Sequence, residues 1–385
     1  MNAVIAIDSF KGSLSSISAG NAVKEAIKRV YTDAHVEICP LADGGEGTVE
    51  AVTSAMGGEL CEAVVTGPLG ESTRAVYGII PRSRTAVIEM SAAAGITLVP
   101  EDKRDPLRTT TYGVGELLLH AIREKGCRNF IIGIGGSATN DGGVGMLTSL
   151  GFEFLDKDGN PIAMGAEGLS DLYEIRTDKA ARELKECSFT VACDVKNPLC
   201  GDNGCSAVYG PQKGATPESI KLMDAWLSGY ARLTAELLGK DLSNSEGAGA
   251  AGGMGFALIS YLGATLRSGI DTVIDASGLE EKIKSADIVV TGEGRLDGQS
   301  VMGKAPIGVA ARAKKYGKTV IAFCGAAARD ASECNKQGID AFFPILRAPC
   351  SLADAMDEKN AYENLCNTAE QVFRVIKEFQ YREKN

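Results

Sequence analysis

Short apolar runs of strand length alternate with segments of helical period along most of this 385-residue chain, the pattern of an α/β protein with a largely parallel sheet. At the N-terminal end the pattern predicts a strand over Val4–Ile7, a helix over Ser18–Val30, a strand over Val36–Cys39 and a helix over Thr48–Met56. Toward the other end it predicts strands at Ile288–Val290, Val320–Phe323 and Ala341–Ile345, a helix at Pro306–Lys315, and one long helix from Ala353 to Phe379. Between these regions Cys61–Met90 reads as short alternating strands broken by Gly67-Pro68, Gly70 and Pro81. Ser219–Leu238 reads as a helix with an apolar stripe of Leu222, Ala225, Trp226, Leu233 and Leu237, which makes Trp226 a core residue rather than a stacking platform. No long-period repeat or low-complexity tract interrupts the chain. The expected architecture is a doubly wound, Rossmann/flavodoxin-like α/β domain made of residues 1–60 and 276–385, with a second α/β domain inserted at 61–275. Ligands are expected in the cleft between the two, near strand carboxyl ends.

Charge and composition narrow the class. A net charge of -10 argues against a nucleic-acid surface, so phosphate recognition has to be local. Eleven cysteines in scattered apolar contexts suggest reduced thiols and a cytoplasmic setting, and with two histidines and no Cys-x-x-Cys a zinc site is not expected. Both His35 and His120 have structural readings, one leading into a strand and one in an amphipathic helix. No signal peptide or membrane span is expected. Oligomeric state stays open, a homo-oligomer included.

The chemistry concentrates in glycine-rich turns after strands. Gly133-Ile-Gly-Gly-Ser-Ala-Thr-Asn-Asp-Gly-Gly143 follows Phe130-Ile-Ile132 and precedes a helical pattern; five glycines and four polar residues in eleven positions make a phosphate cradle a better reading than an ordinary tight turn. Gly135, Gly136, Ser137, Ala138, Thr139 and Asn140 are the candidate nucleotide contacts, and Asp141 a candidate Mg²⁺ ligand. Two other motifs match only in part. Gly247-Ala-Gly-Ala-Ala-Gly252 fits a dinucleotide fingerprint but follows a polar turn instead of a strand. Gly298-Gln-Ser-Val-Met-Gly-Lys304 fits a Walker loop until Ala305 replaces the Mg²⁺-binding hydroxyl. Carboxylates end several strands: Asp8, Asp43 with Glu46, Asp194, and Glu293 with Asp297. Each alone is an ordinary cap or turn residue, but together they resemble the parts that phosphoryl transfer requires.

At these residues the chain resembles the type I glycerate kinase family over essentially its full length. The resemblance is carried by Asp8-Ser-Phe-Lys-Gly12, Pro40–Thr48, Arg104-Asp-Pro-Leu107, Gly133–Gly143, Ala192-Cys-Asp-Val195, Gly210-Pro-Gln-Lys-Gly214, Gly247–Gly255 and Thr291-Gly-Glu-Gly-Arg295 with Asp297 and Lys304. It implies ATP- and Mg²⁺-dependent phosphorylation of D-glycerate in glyoxylate, glycolate or sugar-acid breakdown. Bacterial members are often 2-kinases, so 2-phosphoglycerate is the expected product and 3-phosphoglycerate the alternative.

Single roles follow from chemistry. Asp194 is the leading carboxylate for the acceptor hydroxyl, and Lys11 and Lys304 are cations for developing charge. Ser9, Lys11, Asp43, Glu46, Arg104 and Arg295 are candidates for holding glycerate, and Glu293 and Asp297 join Asp141 as candidate metal ligands. Two other classes remain at this point: a nicotinamide-dependent dehydrogenase resting on the Gly247 motif, and a non-catalytic small-molecule sensor.

Overall fold

The structure, a computed structural model, describes residues 1–42, 44–45, 47–298, 300 and 304–383. Its strands are β1 (Asn2–Ile7), β2 (His35–Ile38), β3 (Glu59–Thr66), β4 (Ser72–Ile80), β5 (Thr85–Glu89), β6 (Asn129–Gly133), β7 (Glu153–Leu155), β8 (Glu174–Arg176), β9 (Ser188–Ala192), β10 (Thr265–Arg267), β11 (Ile288–Leu296), β12 (Thr319–Ala327) and β13 (Ala341–Pro344). They form an α/β chain of two compact units, one of residues 1–43, 50–56 and 270–385, the other of residues 44–49 and 57–269.

The first unit is built on a five-stranded sheet in the order β13-β12-β11-β1-β2, parallel throughout. Counting only this sheet's strands along the chain, that is the flavodoxin-type order 2-1-3-4-5, with its switch point between β1 and β11. Residues Ala3 to Ile7 of β1 are all buried, as a parallel strand covered on both faces requires. The helix Ser16–Val30 turns Ala19, Ala22, Val23, Ala26, Ile27 and Val30 inward, and the C-terminal helix contributes Leu365, Ala369 and Phe373 to the same core. The single long helix expected at the C-terminus is two, Leu352–Met356 and Glu358–Glu383. Asp357 between them has an extended backbone and accepts the Asn360 amide at 2.9 Å, an N-cap that restarts the helix.

The second unit holds a six-stranded sheet, β10-β9-β6-β5-β4-β3, and a separate β7-β8 ribbon. The alternating stretch after Cys61 belongs to the antiparallel β3-β4 hairpin, and β4 pairs antiparallel with β5. From β5 through β6 and β9 to β10 the pairing is parallel. His120 is a packed residue, its Nδ1 2.8 Å from the Tyr77 hydroxyl. The helix Pro217–Leu238 has a different inner stripe from the one its sequence suggested. Met223, Leu227, Tyr230, Ala231 and Thr234 are buried, whereas Leu222 and Leu237 are exposed and Trp226 is half-buried against the core. The helix is apolar over a wide arc, and its neighbours, not its own periodicity, choose which part faces in.

Candidate active site

In the first unit, β1 delivers Asp8 and β11 delivers Glu293 to the switch point, because Ile7 and Gly292 are register partners. The Asp8 amide donates to the Gly292 carbonyl at 2.9 Å, and both carboxylates are buried, at 5% and 7% exposure. Phe10 and Leu14 bond each other's backbone in both directions, which closes a tight loop with Lys11 at its tip and Gly12 at φ +76. Ser15 then caps the following helix by accepting the Ser18 amide. Ser16 ties this corner together, donating to the Ile7 carbonyl at 2.6 Å and accepting from the Leu41 amide at 2.8 Å.

On the other side of the switch point the Ser300 hydroxyl donates to the Glu293 carboxylate and accepts from the Asp297 backbone amide, which ties Glu293 to the turn that carries Asp297. Arg295 Nε lies 3.4 Å from Asp297 Oδ2 and is largely exposed. Lys304 occupies the N-cap position of the helix Ala305–Lys314, with Pro306 in its first turn.

The result is a cavity of about 420 Å³ with Asp8, Ser9, Lys11, Glu293, Arg295, Asp297 and Lys304 on its polar side and Phe10, Ile345, Leu346, Leu352 and Met356 on its apolar side. That volume is ample for a small hydroxy acid. A larger cavity of about 650 Å³ is walled mainly by apolar groups, including Ile288, Ile321, Phe343 and Val372, and contains none of the predicted site residues. Asp43, Glu46 and most of the near-Walker segment, Gln299 and Val301 to Gly303, lie outside the described residues.

The second unit carries the glycine loop between β6 and the helix Val144–Ser149. Gly44 and Gly45 lie close against it: a Cβ at Gly133 would fall 2.5 Å from the Gly44 carbonyl oxygen, and one at Gly135 would fall 3.1 Å from Gly45 Cα. Gly136 has φ +71. Gly135 and Gly136 are exposed, whereas Ser137, Ala138, Thr139 and Asn140 are turned inward. Asn140 donates to Ser206 Oγ at 2.8 Å. The loop therefore offers a ligand mainly backbone. Among the described residues, the amides of Gly135, Gly136 and Ser137 meet no backbone acceptor, which is the condition for a nest that receives an anion.

Asp141 faces the interior. It is fully buried and accepts from the Thr111 amide and hydroxyl, both at 2.8 Å, and from the amides of Gly143 at 3.0 Å and Gly145 at 3.2 Å. Burial pushes its carboxyl above the ordinary carboxylate range, against those four bonds. In this geometry it anchors the loop to Thr111 and caps the next helix, which leaves little room for metal ligation.

Asp194 follows β9, is exposed, and accepts the Gly269 amide at 2.9 Å. Arg104 is half-buried, and its Nε has no hydrogen-bond partner among the described residues. No group of three or more His, Cys, Asp or Glu side chains there is arranged to hold a metal by itself.

Two residues escaped the sequence reading. Thr111 is one; the other is Lys213, only 2% exposed, which donates to Ser137 Oγ at 2.8 Å and to the Thr139 carbonyl at 2.6 Å. Burial lowers its amine to about 8. Its only signal in the sequence was the Gly210-Pro-Gln-Lys-Gly214 motif.

The Gly247–Gly255 segment also finds its explanation here. A Cβ at Gly252 would fall 2.1 Å from the Thr139 carbonyl oxygen, and one at Gly253 would fall 2.8 Å from Gly142 Cα. Its glycines allow backbone to pack on the phosphate-loop candidate, so they do not make a dinucleotide site.

A profile described as "Glycerate kinase family" matches residues 3–377. The chain belongs to the glycerate kinase family. It is 47% identical to the Haemophilus influenzae glycerate kinase over 98% of this chain and 99% of that protein. It is 48% identical to the Escherichia coli glycerate 2-kinase over 97% of each. The crystal structure of a Salmonella typhimurium LT2 protein assigned as glycerate kinase 2 superposes with a TM-score of 0.91 at 48% identity, covering 99% of both chains. Membership in a kinase family makes this chain an enzyme that transfers a phosphoryl group, in place of the dehydrogenase and sensor readings. No helix among the described residues is long and apolar enough to cross a membrane.

Proposed function

We propose that this glycerate kinase transfers the γ-phosphoryl group of ATP to D-glycerate in the cytoplasm and releases 2-phosphoglycerate. The observation that carries this reading is the switch-point cavity, where Lys11, Arg295 and Lys304 stand beside Asp8, Glu293 and Asp297. In a flavodoxin-type sheet this is where ligands bind, and a small hydroxy acid needs both cations for its carboxylate and acceptors for its hydroxyls. Lys11 and Arg295, with Ser9, hold glycerate; Arg104, Asp43 and Glu46 remain candidates for the same task.

The amides of the Gly135–Ser137 turn, which meet no backbone acceptor among the described residues, receive nucleotide phosphate. Lys304 stabilises charge that develops on the transferred group, and Asp194 takes the proton of the acceptor hydroxyl. Mg²⁺ fits Glu293 and Asp297 by donor chemistry, because it is held by one or two carboxylates together with substrate phosphates and water. When bound, it supplies charge neutralisation to the phosphates. Asp141 has a structural role in this scheme.

The E. coli relative is named a 2-kinase, which supports the regiochemistry; 3-phosphoglycerate is the alternative. ADP release on adding D-glycerate to enzyme, ATP and Mg²⁺ tests the activity. Enolase added alone converts 2-phosphoglycerate directly to phosphoenolpyruvate. If phosphoenolpyruvate forms only after a mutase is also supplied, the product is 3-phosphoglycerate.

A further inference from the structure

Lys213 is a buried cation that the scheme above leaves without a task. It ends the turn Pro211–Lys213, and Gly214 at φ +96 then carries the chain so close to Arg104 that a Cβ there would fall 2.2 Å from the Arg104 carbonyl oxygen. The turn delivers the amine beneath the glycine loop, where it bonds Ser137 and Thr139. The Thr139 carbonyl oxygen is also where the Gly252 backbone makes its close approach. The exit of the loop is thus held between an ammonium and a backbone wall, while the amides of Gly135 to Ser137 are left without backbone acceptors among the described residues.

Burying an ammonium against two neutral acceptors costs stability. Burial is the dominant influence on it and outweighs the Asp141 carboxylate, while the neighbouring Cys205 thiol, itself pushed up to about 12 by burial, is neutral. An apolar side chain would fill the same space at lower cost, so the charge itself has a use. A cation directly behind a turn of backbone amides raises the positive potential in front of them.

We propose that Lys213 is a positioning residue for the nucleotide phosphate: through Ser137 and Thr139 it fixes the Gly135–Ser137 amides in the orientation that receives a phosphate. This rests on the reading of Gly133–Gly143 as the phosphate loop.

The test is steady-state kinetics on the purified enzyme, with ATP and D-glycerate varied separately, for the parent, Lys213→Met, Ser137→Ala and Gly136→Val. The expected result for Lys213→Met is an ATP KM raised about tenfold, the size of one lost charge-assisted hydrogen bond, with the glycerate KM within about twofold. A merely structural role would move both KM values together or leave both unchanged in the folded variant, and either result overturns the proposal. Ser137→Ala removes one acceptor without emptying the site, and should raise the ATP KM by roughly threefold. An unchanged value there overturns the proposal even if Lys213→Met fails to fold. If Gly136→Val raises the ATP KM and the folded Lys213→Met does not, the Lys213 proposal alone falls. If none of the three raises it, the phosphate-loop reading falls with it.

Discussion

Thr111 gives Asp141 both its backbone amide and its hydroxyl, each at 2.8 Å. That pair ties the end of the glycine loop to the start of the helix Tyr112–Arg123, and Thr111 Oγ1 in turn accepts the Met146 amide at 2.9 Å. The most conspicuous acid of the loop is therefore spent on holding its shape. Asp141→Ala should strand several buried donors and lower stability by about 3 kcal/mol or more, read as a drop in the urea midpoint. A metal ligand would behave differently: stability would be nearly unchanged, and the Mg²⁺ concentration for half-maximal activity would rise.

Asp194 sits on an exposed turn after β9, where it accepts the Gly269 amide, and the isosteric Asp194→Asn should fold normally. As the base for the acceptor hydroxyl it should lose about 10²- to 10⁴-fold in kcat with little change in the KM for glycerate. Near-normal turnover would pass the role to Asp8, which lies in the switch-point cavity.

Lys304 caps the helix Ala305–Lys314 without a side-chain cap bond and lines the cavity. Lys304→Ala should reduce kcat by about 10- to 100-fold while the KM for glycerate moves by less than about threefold. Loss confined to the KM for glycerate would place Lys304 among the substrate-binding groups instead.

The Lys213 amine also predicts a pH dependence of stability. The unfolded chain keeps this proton up to its ordinary value of 10.5, whereas burial lowers the folded value to about 8. Between those values the unfolded chain binds more protons, so stability attributable to this group rises with pH across the window. Below pH 8 both states are protonated, and the cost of the buried charge is present in full, about 3 kcal/mol. Urea midpoints for the parent and Lys213→Met, compared from pH 7 to pH 10, should show the parent gaining on the variant as pH rises. A constant difference would mean that the amine carries no burial penalty.

The sequence by itself determined whatever is local. Continuous apolar runs give the β1 and β11 strands because parallel strands covered on both faces need apolar residues throughout. The glycine-rich turn after β6 was legible because its backbone geometry, φ +71 at Gly136, strongly favours glycine. Motif order along the chain was enough to indicate the family. Tertiary structure decided what depends on distant neighbours. Only the parallel pairing of β1 with β11 brings Asp8 and Glu293, from opposite ends of the chain, to one switch point. Only packing turns Asp141 inward, buries Lys213 under Ser137 and Thr139, and selects Met223 over Leu222 as the inner face of its helix. A polar side chain in a motif has several donors or acceptors within its reach, and the fold around it settles whether they satisfy the protein or remain for a ligand.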